Sequence, residues 1–161
     1  MEERNKQIDL RVSESQAANF LIWAVEKNKK ETVEELISQG VSVTAKSNAA
    51  ICKAAEKGYE EIFEILLNAG ADARARNNYP LEVAATNGFD EIIESIALHD
   101  PDALNVNNYA INYAINDGHI DTVEKLLALG VKVYNDADDI IYQAKLEGYD
   151  EIAKILEAKR A

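Results

Sequence analysis

Residues 77–93, NNYPLEVAATNGFDEII, and residues 107–123, NNYAINYAINDGHIDTV, are two versions of one phrase. A glycine, then an aromatic or histidine, then an acidic and aliphatic run anchors the comparison. It recurs as KGYEEIFEILL at Gly58, NGFDEIIESIA at Gly88, DGHIDTVEKLL at Gly118 and EGYDEIAKILE at Gly148, in steps of 30 residues. One step upstream, KNKKETVEELI carries Asn28 in the same place, and Asn tolerates the left-handed backbone that Gly prefers. The chain therefore holds five copies of one unit.

Each copy reads as two short helices. Before the turn, small residues such as Ile51, Ala54, Ala55 or Leu81, Ala84, Ala85 fall at helical spacing on a narrow face. Alanine repeats at one place in that first helix (Ala24, Ala54, Ala84, Ala114, Ala144), which predicts close approach of neighbouring helices. After the turn, Ile62, Ile65 and Leu66 recur as Ile92, Ser95 and Ile96, as Val123, Leu126 and Leu127, and as Ile152, Ile155 and Leu156. Gly40, Gly70 and Gly130 close the second helices as C-terminal caps, and Pro101 breaks the third. One such pair cannot bury its apolar face alone, so the repetition predicts a stack of pairs around a continuous core.

YPLEVAATNGFDEIIE together with NAGADARAR resembles the ankyrin repeat. The resemblance covers about residues 15 to 160 and implies an all-α helical solenoid of about five helix-turn-helix repeats with shortened connecting fingers. It places repeats at approximately 15–44, 45–74, 75–104, 105–134 and 135–161, behind an N-terminal arm or cap of residues 1–14. The period is 30 residues, against about 33 in the family pattern. In the third copy LHDPDALNV replaces the usual finger entry, so the loop at Asp100 and Pro101 is expected to differ. His119 stands where the family places an imidazole that fixes the local turn, and His99 reads as a solvated helix end.

Composition narrows the functional classes. With 161 residues and 47% hydrophobic side chains, the chain can build a core without disulfides. Its single cysteine, Cys52, fits a small buried side chain in a reducing compartment. MEERNKQIDLRVSES lacks the apolar core of a secretory signal, and no stretch approaches the roughly 20 apolar residues of a membrane span. These features predict a cytoplasmic or nuclear protein. Two distant histidines and one cysteine supply no catalytic set and no metal-ligand spacing, and no phosphate-cradling glycine motif occurs. The expectation is a protein that is not an enzyme and takes no cofactor or metal.

The resemblance implies a protein-binding module whose concave face, made of fingers and exposed first-helix positions, holds the partner. By position these candidates are Arg74, Arg76, Asn78, Asn87, Asn107, Asn108, Asn116, Asp117, Tyr134, Asp136, Asp138, Asp139 and Glu147. Net charge is −12, and residues 81–161 carry 16 acidic against 6 basic side chains, whereas residues 1–80 carry 13 against 11. Several of these acids, among them Glu60, Glu61, Asp90 and Glu91, begin second helices, where the macrodipole favours anions. YNDADD in the last finger, with Asp117 and Glu147, is less easily explained by capping. This asymmetry predicts a basic protein partner, with acidic mimicry of nucleic acid, directed at a host-defence or regulatory nucleic-acid-binding protein, as the alternative. Direct nucleic-acid binding is disfavoured because Lys and Arg are too sparse. FLIW at residues 20–23 predicts a first repeat needing cover, either from Ile8, Leu10 and Val12 in the arm or from a second copy in a homodimer. The mixed charges of the last repeat read as a solvated cap, and a monomer is the expectation.

Overall fold

A computed structural model describes residues 13–105, 109–131 and 137–160. Among them, ten α-helices follow one another as five antiparallel pairs: α1 (Glu14–Glu26) and α2 (Lys30–Ser38), α3 (Ala45–Lys57) and α4 (Glu60–Asn68), α5 (Ala75–Asn87) and α6 (Asp90–His99), α7 (Tyr109–Asn116) and α8 (Ile120–Ala128), α9 (Ala137–Leu146) and α10 (Asp150–Arg160). First helices stack on first helices and second on second, giving two layers. No strand occurs among the described residues.

The turns explain why the period is so regular. After α1, the amides of Asn28 and Lys29 donate to the carbonyls of Val25 and Ala24, both at 2.9 Å. Gly58 and Tyr59 do the same to Ala55 and Ala54 after α3, at 3.1 and 3.0 Å. This is the Schellman arrangement, which needs a left-handed residue at the turn, and Asn28 and Gly58 have φ of 52° and 64°. At the ends of second helices the same pair of bonds closes on Gly70, φ 92°. At the opening of α1, Ser13 Oγ accepts from the Gln16 amide and Gln16 Oε1 accepts from the Ser13 amide, a capping box.

The recurring alanines pack as expected: Ala24, Ala54, Ala84, Ala114 and Ala144 are all fully buried. Between the layers, Leu36, Leu66, Ile96, Leu126 and Leu156 form one buried row and Val33, Phe63, Ile93, Val123 and Ala153 another. The fourth copy's match to Ile62, Ile65 and Leu66 therefore shifts by one residue, to Thr122, Lys125 and Leu126, with Thr122 buried. Each large side chain so buried contributes about 1.5–3 kcal/mol, and the rows run unbroken from the first pair to the fifth. Cys52 lies in this core, where burial pushes its thiol upward in pKa and leaves it uncharged.

The residue after each turn joins one pair to the one before. Phe89 lies over Gly58, Tyr149 over Gly118 and His119 over Gly88, so closely that a Cβ on these glycines would sit 2.8 to 3.2 Å from the ring. His119 Nε2 donates to the Thr86 carbonyl at 2.8 Å. The imidazole thus ties the fourth pair to the third; its own turn is already closed by backbone bonds.

Two stretches depart from regular helix. Lys46, Ser47 and Asn48, and 30 residues on Arg76, Asn77 and Asn78, all have positive φ of 51° to 65°. Each forms one left-handed turn, closed by the amide of Asn48 on the Thr44 carbonyl and of Asn78 on the Arg74 carbonyl, both 3.0 Å. Left-handed residues with a Cβ cost about 1–2 kcal/mol each, least for Asn, so Asn-Asn at 77 and 78 is a local solution to this geometry. In the third pair, α6 runs to His99 and a short 3₁₀ helix, Pro101–Asn105, replaces a glycine turn, as the odd sequence there foretells. His99 Nδ1 donates to the Ser95 carbonyl at 2.9 Å and Nε2 lies 3.2 Å from the Asn68 amide oxygen, so this exposed side chain caps its own helix and touches α4.

Candidate functional site

Several of the candidate positions hold the solenoid together. Arg74 forks onto Asp100 with Nε and Nη2 at 2.6 and 2.7 Å, and this guanidinium holds the Asp100 carboxyl below its ordinary pKa. Arg76 donates to the carbonyls of Ser47 and Lys46, both at 3.3 Å, pinning one left-handed turn to the next. Asn78 Nδ2 donates to the Ala103 carbonyl at 3.3 Å, and its counterpart Asn48 accepts from the Asp72 amide at 2.9 Å. These fingers are therefore cross-linked in series. Asn107, Asn108, Tyr134 and Asp136 lie outside the described residues.

Asn87, Asn116, Asp117 and Glu147 gather at the opposite end of the first helices. Lys27, Lys57, Asn87, Asp117 and Glu147 occupy one place, just before the turn, in successive pairs, and all five are exposed. Read along the stack, this column passes from two cations through an amide to two anions. Asn116 is exposed beside Asp117, and Asn87 Nδ2 turns back to the Val83 carbonyl at 2.8 Å. Asp138 and Asp139 are also exposed but stand in the first turn of α9, where the macrodipole favours them. A rise of about 1.5 Å per residue puts Asp139 about 12 Å from Glu147 along the helix axis. The acids of the last pair therefore form two groups, one at each end of α9.

Beside the Asp117 and Glu147 group, an open cleft of about 460 Å³ runs across the turns of the last three pairs, lined in part by Asp90, Asp121, Glu124, Glu151 and Asn87. Asp90 accepts from Thr122 Oγ1 at 2.7 Å, and Thr122 is itself buried. Among the described residues His119 lines this cleft but no Lys or Arg does. The corresponding cleft at the first two turns is also acidic, lined by Glu31, Glu60 and Glu61, but there Lys30 offsets part of the charge, with Nζ 2.6 Å from the Glu61 carboxylate. Nearby, Glu56 is pushed up by burial, but Lys53 and the Tyr79 hydroxyl more than reverse this and leave its carboxyl lowered. The acidity of the turns is thus partly offset by a lysine in the N-terminal half and by neither Lys nor Arg in the C-terminal cleft, a gradient visible in the charge count but not in its geometry. Sequence reading missed the acidic cleft because its residues seemed explained by helix starts.

Stacked helix pairs with identical turns, a shared core and, among the described residues, no group of three side chains placed to hold a metal define a helical-repeat scaffold. Residues 4–77 match the family model for ankyrin repeats (3 copies), and the helix pairs continue the pattern beyond them, which supports an ankyrin-repeat protein. Arrays of this family serve as protein–protein interaction modules and are generally non-catalytic. No curated protein matches the sequence. Among the described residues no helix is long and apolar enough to cross a membrane.

Proposed function

We propose that the chain binds a basic partner protein on the concave side of its C-terminal half, against the exposed C-terminal ends of α5, α7 and α9 and the adjoining acidic cleft. One observation carries this reading. Asp117 and Glu147 sit just past helix C-termini, where the dipole disfavours anions by about 0.3–1 kcal/mol each. Both are exposed, and among the described residues neither side chain makes an ion pair or hydrogen bond. The fold gains nothing from these charges, whereas Lys27 and Lys57 at the same place suit the dipole. A basic segment lying across the turns gains from both acids and from the cleft beside them. The intracellular setting suggested by the lone, buried Cys52 belongs to the same proposal.

The test is an affinity capture from cells, followed by binding measurements on the recovered protein at about 50 and 300 mM salt, which bracket weak and strong screening. Affinity is expected to fall with salt and to fall again in Asp117→Asn, Glu147→Gln protein. Those substitutions relieve the helix ends, so loss of binding cannot be loss of fold. Equal, salt-independent affinity for both proteins overturns the proposal. Competition by double-stranded DNA for the same partner marks the narrower case of nucleic-acid mimicry.

A further inference from the structure

Every first helix has one face toward the preceding pair and one toward the following pair. The two outermost of these faces have no neighbour among the described residues, and both are apolar. On α1, Phe20 and Trp23 are 41% and 43% exposed, with rings stacked at a centroid separation of 5.2 Å and planes within 8°. The place of Phe20 is filled in later pairs by Ala50, Pro80 and Ala110, all buried; what they have and Phe20 lacks is a preceding pair. On α9, Tyr142 and Leu146 lie one turn apart and are each 61% exposed. Their counterparts in the second pair, Cys52 and Glu56, are covered by the third: Cys52 is 1% exposed and Glu56 accepts from Tyr79 Oη at 3.1 Å. The last pair therefore presents large apolar side chains to solvent on its α9 side, which departs from the solvated cap its mixed charges suggest.

The contacts between pairs fix a register, and that register can be continued past the end of the chain. Glu26 of the first pair meets Lys53 of the second, with Nζ and Oε1 3.8 Å apart. Leu146 is the counterpart of Glu26 in the fifth pair, and Trp23 is the counterpart of Lys53 in the first. If the fifth pair of one copy stacked on the first pair of another in the same way, Leu146 would meet Trp23. Tyr142, one turn back on α9, would come beside Phe20, one turn back on α1. The outer layer agrees. Glu94 of α6 pairs with Lys125 of α8, and the same two places across the junction hold Lys154 and Glu35, again opposite charges with their order reversed. Asp150 would face Glu31, a like-charged contact of the kind that Glu60 and Glu91 already make inside the chain.

We propose that copies of this chain stack head to tail, the α9 and α10 end of one on the α1 and α2 end of the next, with Trp23 against Leu146 at the centre. A second copy suits these faces because the junction reproduces a contact the chain makes four times within itself, with apolar residues replacing an internal ion pair. Such a contact joins unlike faces and does not close on itself, so association continues with concentration.

Sedimentation of the full chain from about 1 to about 500 µM covers the affinities expected of a modest interface. The average mass is expected to climb from 17.8 kDa past the dimer without a plateau. Trp23→Glu and Leu146→Glu, both at exposed sites, should each be monomeric with unchanged helical circular dichroism. Mixed, they should form a one-to-one pair, because each retains the face the other has lost. A wild-type mass that stays at the monomer, as when residues 1–12 cover Phe20 and Trp23, overturns the proposal. So does a dimer abolished by one substitution only, with no pairing on mixing, which is the signature of like faces joining.

Discussion

Replacing Gly58 and, separately, Gly70 with alanine isolates what a ring lying over a glycine contributes to cohesion between pairs. Both residues close a helix through the same two backbone bonds, and both are left-handed, at φ 64° and 92°. They differ in surroundings. A Cβ on Gly70 meets nothing within 4 Å, whereas on Gly58 it would lie 2.8 Å from Phe89 Cζ and 2.9 Å from Cε1. The left-handed penalty of about 1–2 kcal/mol is therefore common to both, offset by about 0.4–1 kcal/mol from a stiffer unfolded chain. Gly70→Ala should cost about 1 kcal/mol. Gly58→Ala must also push aside the half-buried Phe89 ring, and crowding of this kind adds about 1–3 kcal/mol. Its expected cost is about 2–4 kcal/mol, which in a chain of this size lowers Tm by about 5–15 °C. Urea unfolding followed by far-UV circular dichroism measures both. Phe89→Leu provides the control: in that background the two alanine substitutions should cost nearly the same. Equal costs in the wild-type background would refute the reasoning, because the ring would then be shown to yield freely.

Two further expectations concern charge and backbone. Burial, then the neighbouring Glu91 carboxylate, raises the pKa of Glu60. A carboxyl raised on folding stabilises only while protonated, so its contribution is lost as pH rises through the ordinary carboxylate value and into the raised one. Glu91→Gln should therefore flatten the decline of the urea midpoint as pH rises through the carboxylate range, while at pH 7 the relief of Glu60 is set against the lost anion at the start of α6 and leaves stability changed by less than about 0.5 kcal/mol. Ser47 is exposed and left-handed at φ 56°, and its carbonyl accepts from Arg76. Ser47→Asn should raise the urea midpoint, by about 0.5 kcal/mol in stability, while Ser47→Val should lower it by about 1–2 kcal/mol, the β-branched side chain being least suited to this backbone.

The five-pair architecture was legible because a 30-residue period repeats both the turn glycine and the alanine that sets helix spacing. The meaning of Asn-Asn at 77 and 78 was not. Asn favours left-handed backbone and also favours exposed binding positions, and only the observed φ values, with Asn78 donating to Ala103, separate the two. His119 was likewise readable as a turn residue but not as a link to Thr86, which depends on how far one pair sits from the next. Arg74 looked free for a partner because its acceptor, Asp100, lies in the one copy whose finger departs from the pattern. Acidic residues do stand at the helix starts, but attributing them to the dipole hid the cleft they form together with Glu124 and Asn87.

Among the described residues, the principal contacts between helices fall within one pair or between adjacent pairs. The heritable unit of such a molecule is therefore the whole pair. Duplicating or excising 30 residues moves two matching junctions and leaves the rest of the core in register, whereas gaining or losing a few residues inside a helix misplaces its alanine, its turn and its ring at once. Lineages of this chain are free to change in length by whole pairs while holding the spacing within each pair fixed.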